Sequence, residues 1–227
     1  MRILVFNGSP KIEKSDTMHI TRAFLDGMNS AGANEITFVN SAEKNVRPCA
    51  GCFSCMRGDG NCVQDDDMAE ILAQVSSADL IVWSFPLYSY SMPSTLKAVV
   101  DRLIPLSRMT MRREGERFAH ESRGDFSRQK HVMICGCGFP NFRNNFEGMI
   151  FQFRSMFGEN STIITVPESP LFNAPEAEIV TKPFLVYVKK AGEEFSLGGK
   201  ITEPTMERLR VPMLDEELYA KICSGEI

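Results

Sequence analysis

The chain has 227 residues, 43% of them hydrophobic and 24% charged. That composition suits one large soluble domain burying about 70% of its unfolded surface, and it excludes a disulfide-stapled miniprotein or a disordered chain. The formal charge of −4 and a pI near 5.5 leave no global basic field for a polyanion, and no local patch takes its place, so nucleic-acid binding is not expected. The opening run Met1 to Phe6 turns polar at Asn7, too early for a signal-peptide core. No stretch approaches the ~18 apolar residues of a membrane span, so we expect a cytoplasmic protein without a membrane partner. Seven cysteines, an odd number without a secretory signal, read as thiols, metal ligands or redox groups.

Taken in order, apolar runs of strand length alternate with helical patterns, which predicts an α/β doubly wound parallel sheet of five strands with helices on both faces. The first strand is expected at 2–6. The loop 7–17 follows, with a Gly and three hydroxyls before a helix marked by Ile20, Phe24 and Met28. Loop amides and helix N-terminus, with Ser9, Ser15 and Thr17, make a phosphate cradle without arginine. No Gly-Lys-Ser/Thr closes it, so it is not a Walker loop, and the plain alternative is a strand-to-helix turn with an N-cap. A second strand is expected at 35–40. Beyond it stand Cys49, Cys52, Cys55 and Cys62, at spacings that suit a cubane iron–sulfur cluster. Structural zinc suits them less well, and thiols that only package the loop are the third reading.

Asp65, Asp66 and Asp67 precede a helix marked by Met68, Ile71, Leu72 and Val75, and are read as caps. The third strand, 79–84, leads into Phe85-Pro86-Leu87-Tyr88-Ser89-Tyr90-Ser91-Met92-Pro93, a stiff loop with flat side chains that suits an aromatic ligand. After the stripe Leu96, Val99, Val100 and Leu103, residues 107–128 carry six arginines against four acidic residues. That segment is too long for an ordinary connection and reads as an arm, a lid or a solvated excursion.

The fourth strand, 131–135, ends in Cys135-Gly136-Cys137-Gly138, where small residues let amides approach a ligand edge. Gly136-x-Gly138 lacks the third glycine of a dinucleotide fingerprint, and Cys137 with Arg143 matches cysteine-phosphatase spacing only by coincidence. A helix marked by Phe146, Met149, Ile150, Phe153 and Phe157, a fifth strand at 162–167, and a helix marked by Phe184, Tyr187, Val188, Ala191 and Phe195 complete the repeat. That last helix should stop at Gly198-Gly199. The tail from about 201 is short of helical signal and is expected to wrap this domain or a neighbouring subunit. Neither His120 nor His131 is needed as an acid or base, and Cys223 reads as unremarkable.

Gly8-Ser9-Pro10 with Ser15-x-Thr17, the four-cysteine run leading into Asp66-Asp67-Met68, Pro86-Leu87-Tyr88 with Met92-Pro93, Leu96-Lys97 and Asp101-Arg102 occur in order over about the first hundred residues. Together they resemble the NAD(P)H-dependent FMN reductases of flavodoxin-like fold, and within them the iron–sulfur flavoproteins. The resemblance implies one flavodoxin-like domain over 1–227. It implies FMN with its phosphate on Ser9, Lys11, Ser15, Thr17 and Met18, and its ring along Pro86, Leu87, Tyr88, Ser89 and Gly136. Cys49, Cys52, Cys55 and Cys62 match the ligands of a [4Fe–4S] cluster. NAD(P)H is the implied donor and a flavin, quinone or azo compound the acceptor. The alternative is an electron carrier relaying single electrons to a ferredoxin-like or other protein partner. A homo-oligomer is implied in either case. Asp16 departs from the family pattern, in which Asn stands beside the phosphate.

Overall fold

The computed structural model describes residues 1–226. Its main sheet is built from β1 (Arg2–Asn7), β2 (Glu35–Asn40), β3 (Leu80–Pro86), β6 (Lys130–Gly136) and β7 (Thr162–Val166), all parallel, in the order β2-β1-β3-β6-β7. The chain works outward on one side of β1 and then on the other, so the connections reverse between β1 and β3. Ligands of such sheets bind beyond the strand carboxyl ends at that reversal. The strand expected at 79–84 runs two residues farther, to Pro86, because the Pro86 position still pairs with Gly136.

Alternation along each strand divides the core. Ile3, Val5, Leu80 and Val82 face α1 (Asp16–Ala31) and α6 (Glu178–Gly198). Leu4, Phe6, Ile81 and Trp83 face α3 (Met68–Ser77), α4 (Ser94–Asp101) and α5 (Glu147–Phe157). The three central strands, β1, β3 and β6, are thus apolar on both faces, as a sheet covered by helices requires, while the edge strand β2 is largely exposed. The two helices on the first face touch backbone to backbone. A Cβ on Gly27 would lie 1.8 Å from the Lys189 carbonyl oxygen, and one on Gly192 would lie 1.9 Å from that of Phe24.

Residues 107–122, left open by the sequence, form an antiparallel hairpin, β4 (Ser107–Glu114) and β5 (Arg117–Ser122), turning at Gly115 with φ +62°. A two-stranded ribbon is marginal in water. This one is tied down at its base, where the Arg123 amide donates to Leu106 O and its guanidinium to the carbonyls of Cys55, Met56 and Gly58. The short α2 (Ser54–Arg57) is therefore held by the hairpin.

The tail corrects the expectation of an irregular wrap, since it forms α7 (Glu203–Leu209) and α8 (Glu216–Ser224). Pro204 sits in the first turn of α7, where no amide hydrogen is needed. Asp215 caps α8 by accepting from the Glu217 and Leu218 amides. The tail does pack on its own domain, burying Leu209 and Tyr219, and the buried Glu168 carboxylate accepts from the amides of Met213 and Leu214 at 2.6 and 3.0 Å.

The acidic run is a second correction. Asp67 stands at the N-cap without a side-chain cap bond; its carboxylate accepts from the Asn45 amide instead. Asp66 does bond the Met68 amide, but its main partner is Arg102, which grips it through two nitrogens at 2.8 and 2.9 Å. Both side chains are buried, 0% and 1% exposed. Arg102 also donates to Arg47 O, and the Arg47 amide donates to Asp66. The pair therefore closes the base of the cysteine loop, a role invisible to local capping rules because Arg102 comes from the far end of α4.

Two outcomes test this packing. Gly192→Ala has no space for its methyl and should cost about 1–3 kcal/mol, read as a lowered denaturation midpoint. Arg102→Met alone leaves a buried carboxylate unpaired and should cost about 3–5 kcal/mol, whereas adding Asp66→Leu should recover much of that loss. Burial pushes the Asp66 carboxyl up, but Arg102 and the Arg47 and Met68 amides outweigh it and hold it below the usual range. This contribution is present above the ordinary carboxylate pKa and is lost as the pH falls through the lowered value. An acid titration of denaturation midpoints that is unchanged in the double variant would contradict it.

Candidate functional site

At the carboxyl edge of β1, Asn7 organises the first loop. Its side-chain amide donates to Ile12 O and Asn40 Oδ1, and its oxygen accepts from the Ser9 amide. Gly8 follows because any Cβ there would lie 2.7 Å from Leu96 Cδ2 and 2.9 Å from Phe85 Cβ. The loop is thus pressed against β3 and α4. Ser9, Ser15 and Thr17 are all buried. Ser15 holds the N-cap position of α1 yet makes no cap bond; its hydroxyl lies 2.8 Å from that of Thr17. The simple N-cap reading is therefore not what the geometry shows. Two buried hydroxyls stand together where the free amides and positive dipole end of a 16-residue helix begin.

Lys11 is exposed and its Nζ lies 3.4 Å from Asp16 Oδ2. Asn173, from the loop after β7, donates to the other Asp16 oxygen and to Lys14 O. Asp16 is thus neutralised by Lys11 and held by Asn173, so an anion at the helix start meets a paired carboxylate. Met18 packs below the loop, its sulfur accepting from Ser84 Oγ at 3.7 Å.

The loop after β3 meets the loop after β6 directly, with the Leu87 amide donating to Gly136 O at 2.7 Å. Pro86 and Leu87 are half-buried, while Tyr88 and Ser89 are exposed. Tyr88 and Ser91 exchange backbone bonds across a turn in which Ser89 and Tyr90 take φ of +47° and +61°. Two left-handed non-glycine residues in succession are costly, and such strain gathers at functional sites. Tyr90 stacks on Phe139, with centroids 6.4 Å apart and planes 12° apart. Gly136 allows closure from the other side, since a Cβ there would lie 2.7 Å from Ser169 Cβ and 3.0 Å from Thr17 Cγ2. Ser9, Ser15, Thr17, Pro86, Leu87 and Gly136 thus gather at one crevice, with Tyr88 and Ser89 at its rim. Asn173, Ser169 and the Tyr90–Phe139 pair were missed; the rule that every strand-end loop counts was the available signal for Ser169 and Asn173.

The four cysteines of the second loop line one small, enclosed, mainly apolar pocket with Phe53, Val63 and Arg102. Cys49 and Cys52 are exposed, Cys55 buried and Cys62 half-buried. Hydrogen bonds from Ser54 hold the Cys52 thiol below its ordinary range, while burial pushes Cys55 up, reinforced by Cys62 and Cys52. The Gly51 amide lies 3.5 Å from Cys49 Sγ, in a turn where Gly51 has φ +66°. Arg102 Nε and Arg123 Nε are buried without partners, and the Arg102 guanidinium faces Cys62. Among the described residues no three such side chains converge tightly enough for one metal ion. A cubane makes a different demand, because its four ligands bind four separate irons and stand farther apart. Four thiols around a pocket with one unspent N–H donor, Arg102 Nε, fit an anionic sulfur-ligated group.

Burial pushes the Cys137 thiol up, the reverse of what a phosphatase nucleophile needs. His120 lies on the hairpin, and His131 is at the opposite edge of the sheet.

A model of the flavodoxin-like fold family matches residues 1–158. Over 106 residues the chain is 34% identical to an iron–sulfur flavoprotein of Methanocaldococcus jannaschii, covering 47% of this chain and 53% of that one. It is 33% identical over 108 residues to an iron–sulfur flavoprotein of Methanosarcina thermophila, covering 48% and 55%. The matches thus span about half the length of these relatives. Among solved structures, an FMN-dependent NADH-azoreductase of Bacillus anthracis in complex with FMN superposes with a TM-score of 0.63 over 86% of this chain and 99% of that one, at 18% identity. The family match and the strand order agree, and the chain belongs to the flavodoxin-like fold family.

Proposed function

We propose that this protein is an FMN-dependent oxidoreductase that passes electrons from NAD(P)H to a small acceptor such as a flavin or quinone, with a [4Fe–4S] cluster in its cysteine pocket. The observation that carries the reading is the arrangement on one sheet edge: buried paired hydroxyls at a helix start after β1, and four thiols around a pocket after β2. FMN supplies two-electron exchange with a nicotinamide when bound, and a cluster supplies single-electron exchange.

The chain's own residues have definite tasks in this reading. Ser15 and Thr17 donate hydroxyl hydrogens to phosphate oxygens beside the first amides of α1, and Ser9 shapes the turn by accepting from the Lys11 amide. Lys11 and Asn173 keep the Asp16 charge away from the phosphate. Pro86, Leu87, Tyr88 and Ser89 line the ring, and Gly136 brings backbone to its edge. Cys49, Cys52, Cys55 and Cys62 bind iron, while Arg102 and Arg123 offset thiolate charge. Exposed Met109, Met111 and Phe118 on the hairpin favour a homo-oligomer. The exposure of Cys49 and Cys52 favours a second reading, an electron carrier to a ferredoxin-like protein. Rapid bleaching of bound flavin by NADH or NADPH without a protein partner supports the reductase; bleaching only with the partner supports the carrier.

Ser15→Ala with Thr17→Ala removes two hydroxyl contacts, each worth about 0.5–1.5 kcal/mol net and more against charge. FMN affinity should fall at least tenfold by fluorescence titration; an unchanged dissociation constant places the phosphate elsewhere. Protein reconstituted anaerobically with iron and sulfide should hold roughly four irons per chain. Cys52→Ser should lower that iron content while retaining FMN. Parent protein holding FMN but neither iron nor labile sulfide would leave the flavin reading standing alone.

A further inference from the structure

A second cavity lies at the other edge of the sheet. It has a volume of about 500 Å³, within the range of small-molecule sites. Its apolar wall comes from Val75 at the end of α3, Leu103 and Leu106 after α4, Phe126 after the hairpin, and Met156 in α5. The opposite wall is aromatic. His131 and Phe157 stack at 4.4 Å and 20°, and Trp83 and Phe157 at 4.9 Å and 27°. His131 is the second residue of β6 and Gly136 the last, so roughly 17 Å of strand separates this chamber from the crevice described above.

The polar groups of the chamber are Trp83, Gln129, His131, Glu159, Asn160 and the hydroxyls of Ser107, Ser122 and Ser127. Trp83 Nε1 donates to His131 Nδ1 at 3.3 Å. Burial lowers the His131 pKa to about 4, so at neutral pH the ring is uncharged and its single hydrogen sits on Nε2. His131, Ser127, Gln129, Phe157 and Asn160 also line an adjoining cavity of about 410 Å³. That neighbour adds Arg128, Lys130 and Ser161. Neither Arg128 nor Lys130 makes an ion pair within 4 Å among the described residues, although the Arg128 charge acts on the Asp125 carboxyl and Lys130 lies over the Phe195 ring at 5.4 Å. Glu159 is the one carboxylate of the chamber lining, and it pairs with Arg154 at 3.9 Å. An apolar slot with a ring wall therefore opens onto a basic vestibule.

We propose that this chamber binds a flat aromatic carboxylate, its rings between the Leu103–Leu106 wall and Phe157 and its anionic group toward Arg128 and Lys130. The flat body matches the stacked rings, the charge matches the vestibule, and the His131 Nε2 hydrogen offers a bond between them. Nothing here depends on which cofactor occupies the opposite edge.

The test is calorimetric titration of 2-naphthoate into the protein as purified, with flavin release followed by fluorescence. The expected result is one saturable site per chain that leaves the flavin in place, at least tenfold weaker binding of the neutral 2-naphthamide, and at least tenfold weaker binding of 2-naphthoate by Arg128→Ala with Lys130→Ala. Ser122→Trp fills the chamber from the exposed hairpin base and should abolish binding; Asn160→Trp does so from the other side should the first variant fail to fold. No saturable heat at millimolar 2-naphthoate, binding that expels flavin, or binding indifferent to a folded blocking variant would each overturn the proposal.

Discussion

The Asp66–Arg102 pair joins three parts of the chain that sequence keeps apart: the end of the cysteine loop, the start of α3 and the end of α4. Removing both charges from water costs several kcal/mol for each, so the pair cannot be counted as a simple gain. What offsets that cost is saturation. Asp66 accepts two guanidinium bonds and the amides of Arg47 and Met68, and Arg102 adds a bond to Arg47 O. The result is positional: Cys62, four residues before Asp66, is drawn against the same guanidinium, and the loop entry at Arg47 is fixed to the exit. A loop with three glycines between Cys49 and Cys62 would otherwise have many ways to place its thiols.

The arginine on the other side works through the backbone. Arg123 reaches from the hairpin base to the carbonyls of Cys55, Met56 and Gly58, so the buried segment carrying Cys55 is held by donors to its backbone. Each guanidinium keeps one buried nitrogen without a partner. Buried unpaired donors are rare enough to call for an explanation, and for Arg102 its place in the lining of the thiol pocket supplies it: it faces Cys62, where negative charge on sulfur would accumulate.

How much of this was legible followed from the range of each interaction. The five strands and their covering helices could be read because parallel strands are apolar on both faces and helices repeat at 3.6 residues, both local signals. The crevice residues after β1 and β3 could be read because strand order places those loops together. The hairpin at 107–122 could not, since both its strands are mostly exposed and lack a buried face to set their period. Capping was assigned to Asp66 because the nearest amides are all that a local rule can see. The hold of Asn173 on Asp16, 157 residues away, could not be read because it is tertiary, and the pairing of Lys11 with Asp16, five residues on, depends on a loop shape that spacing alone does not give.

Those Asp16 contacts also resolve why a carboxylate can stand where an uncharged amide would be expected beside an anion. A free Asp at a helix start favours the dipole but competes with any other anion for it. Here one oxygen is satisfied by the Asn173 amide and the other faces an ammonium, and only 13% of the side chain is exposed. Asn173 also donates to Lys14 O, so the same residue that holds the carboxylate fixes the backbone preceding Ser15. The loop after β7 therefore helps to shape the hydroxyl pair. Because Glu168, in that same loop, holds the Met213 and Leu214 amides, the C-terminal helices are mechanically continuous with the helix start at Asp16.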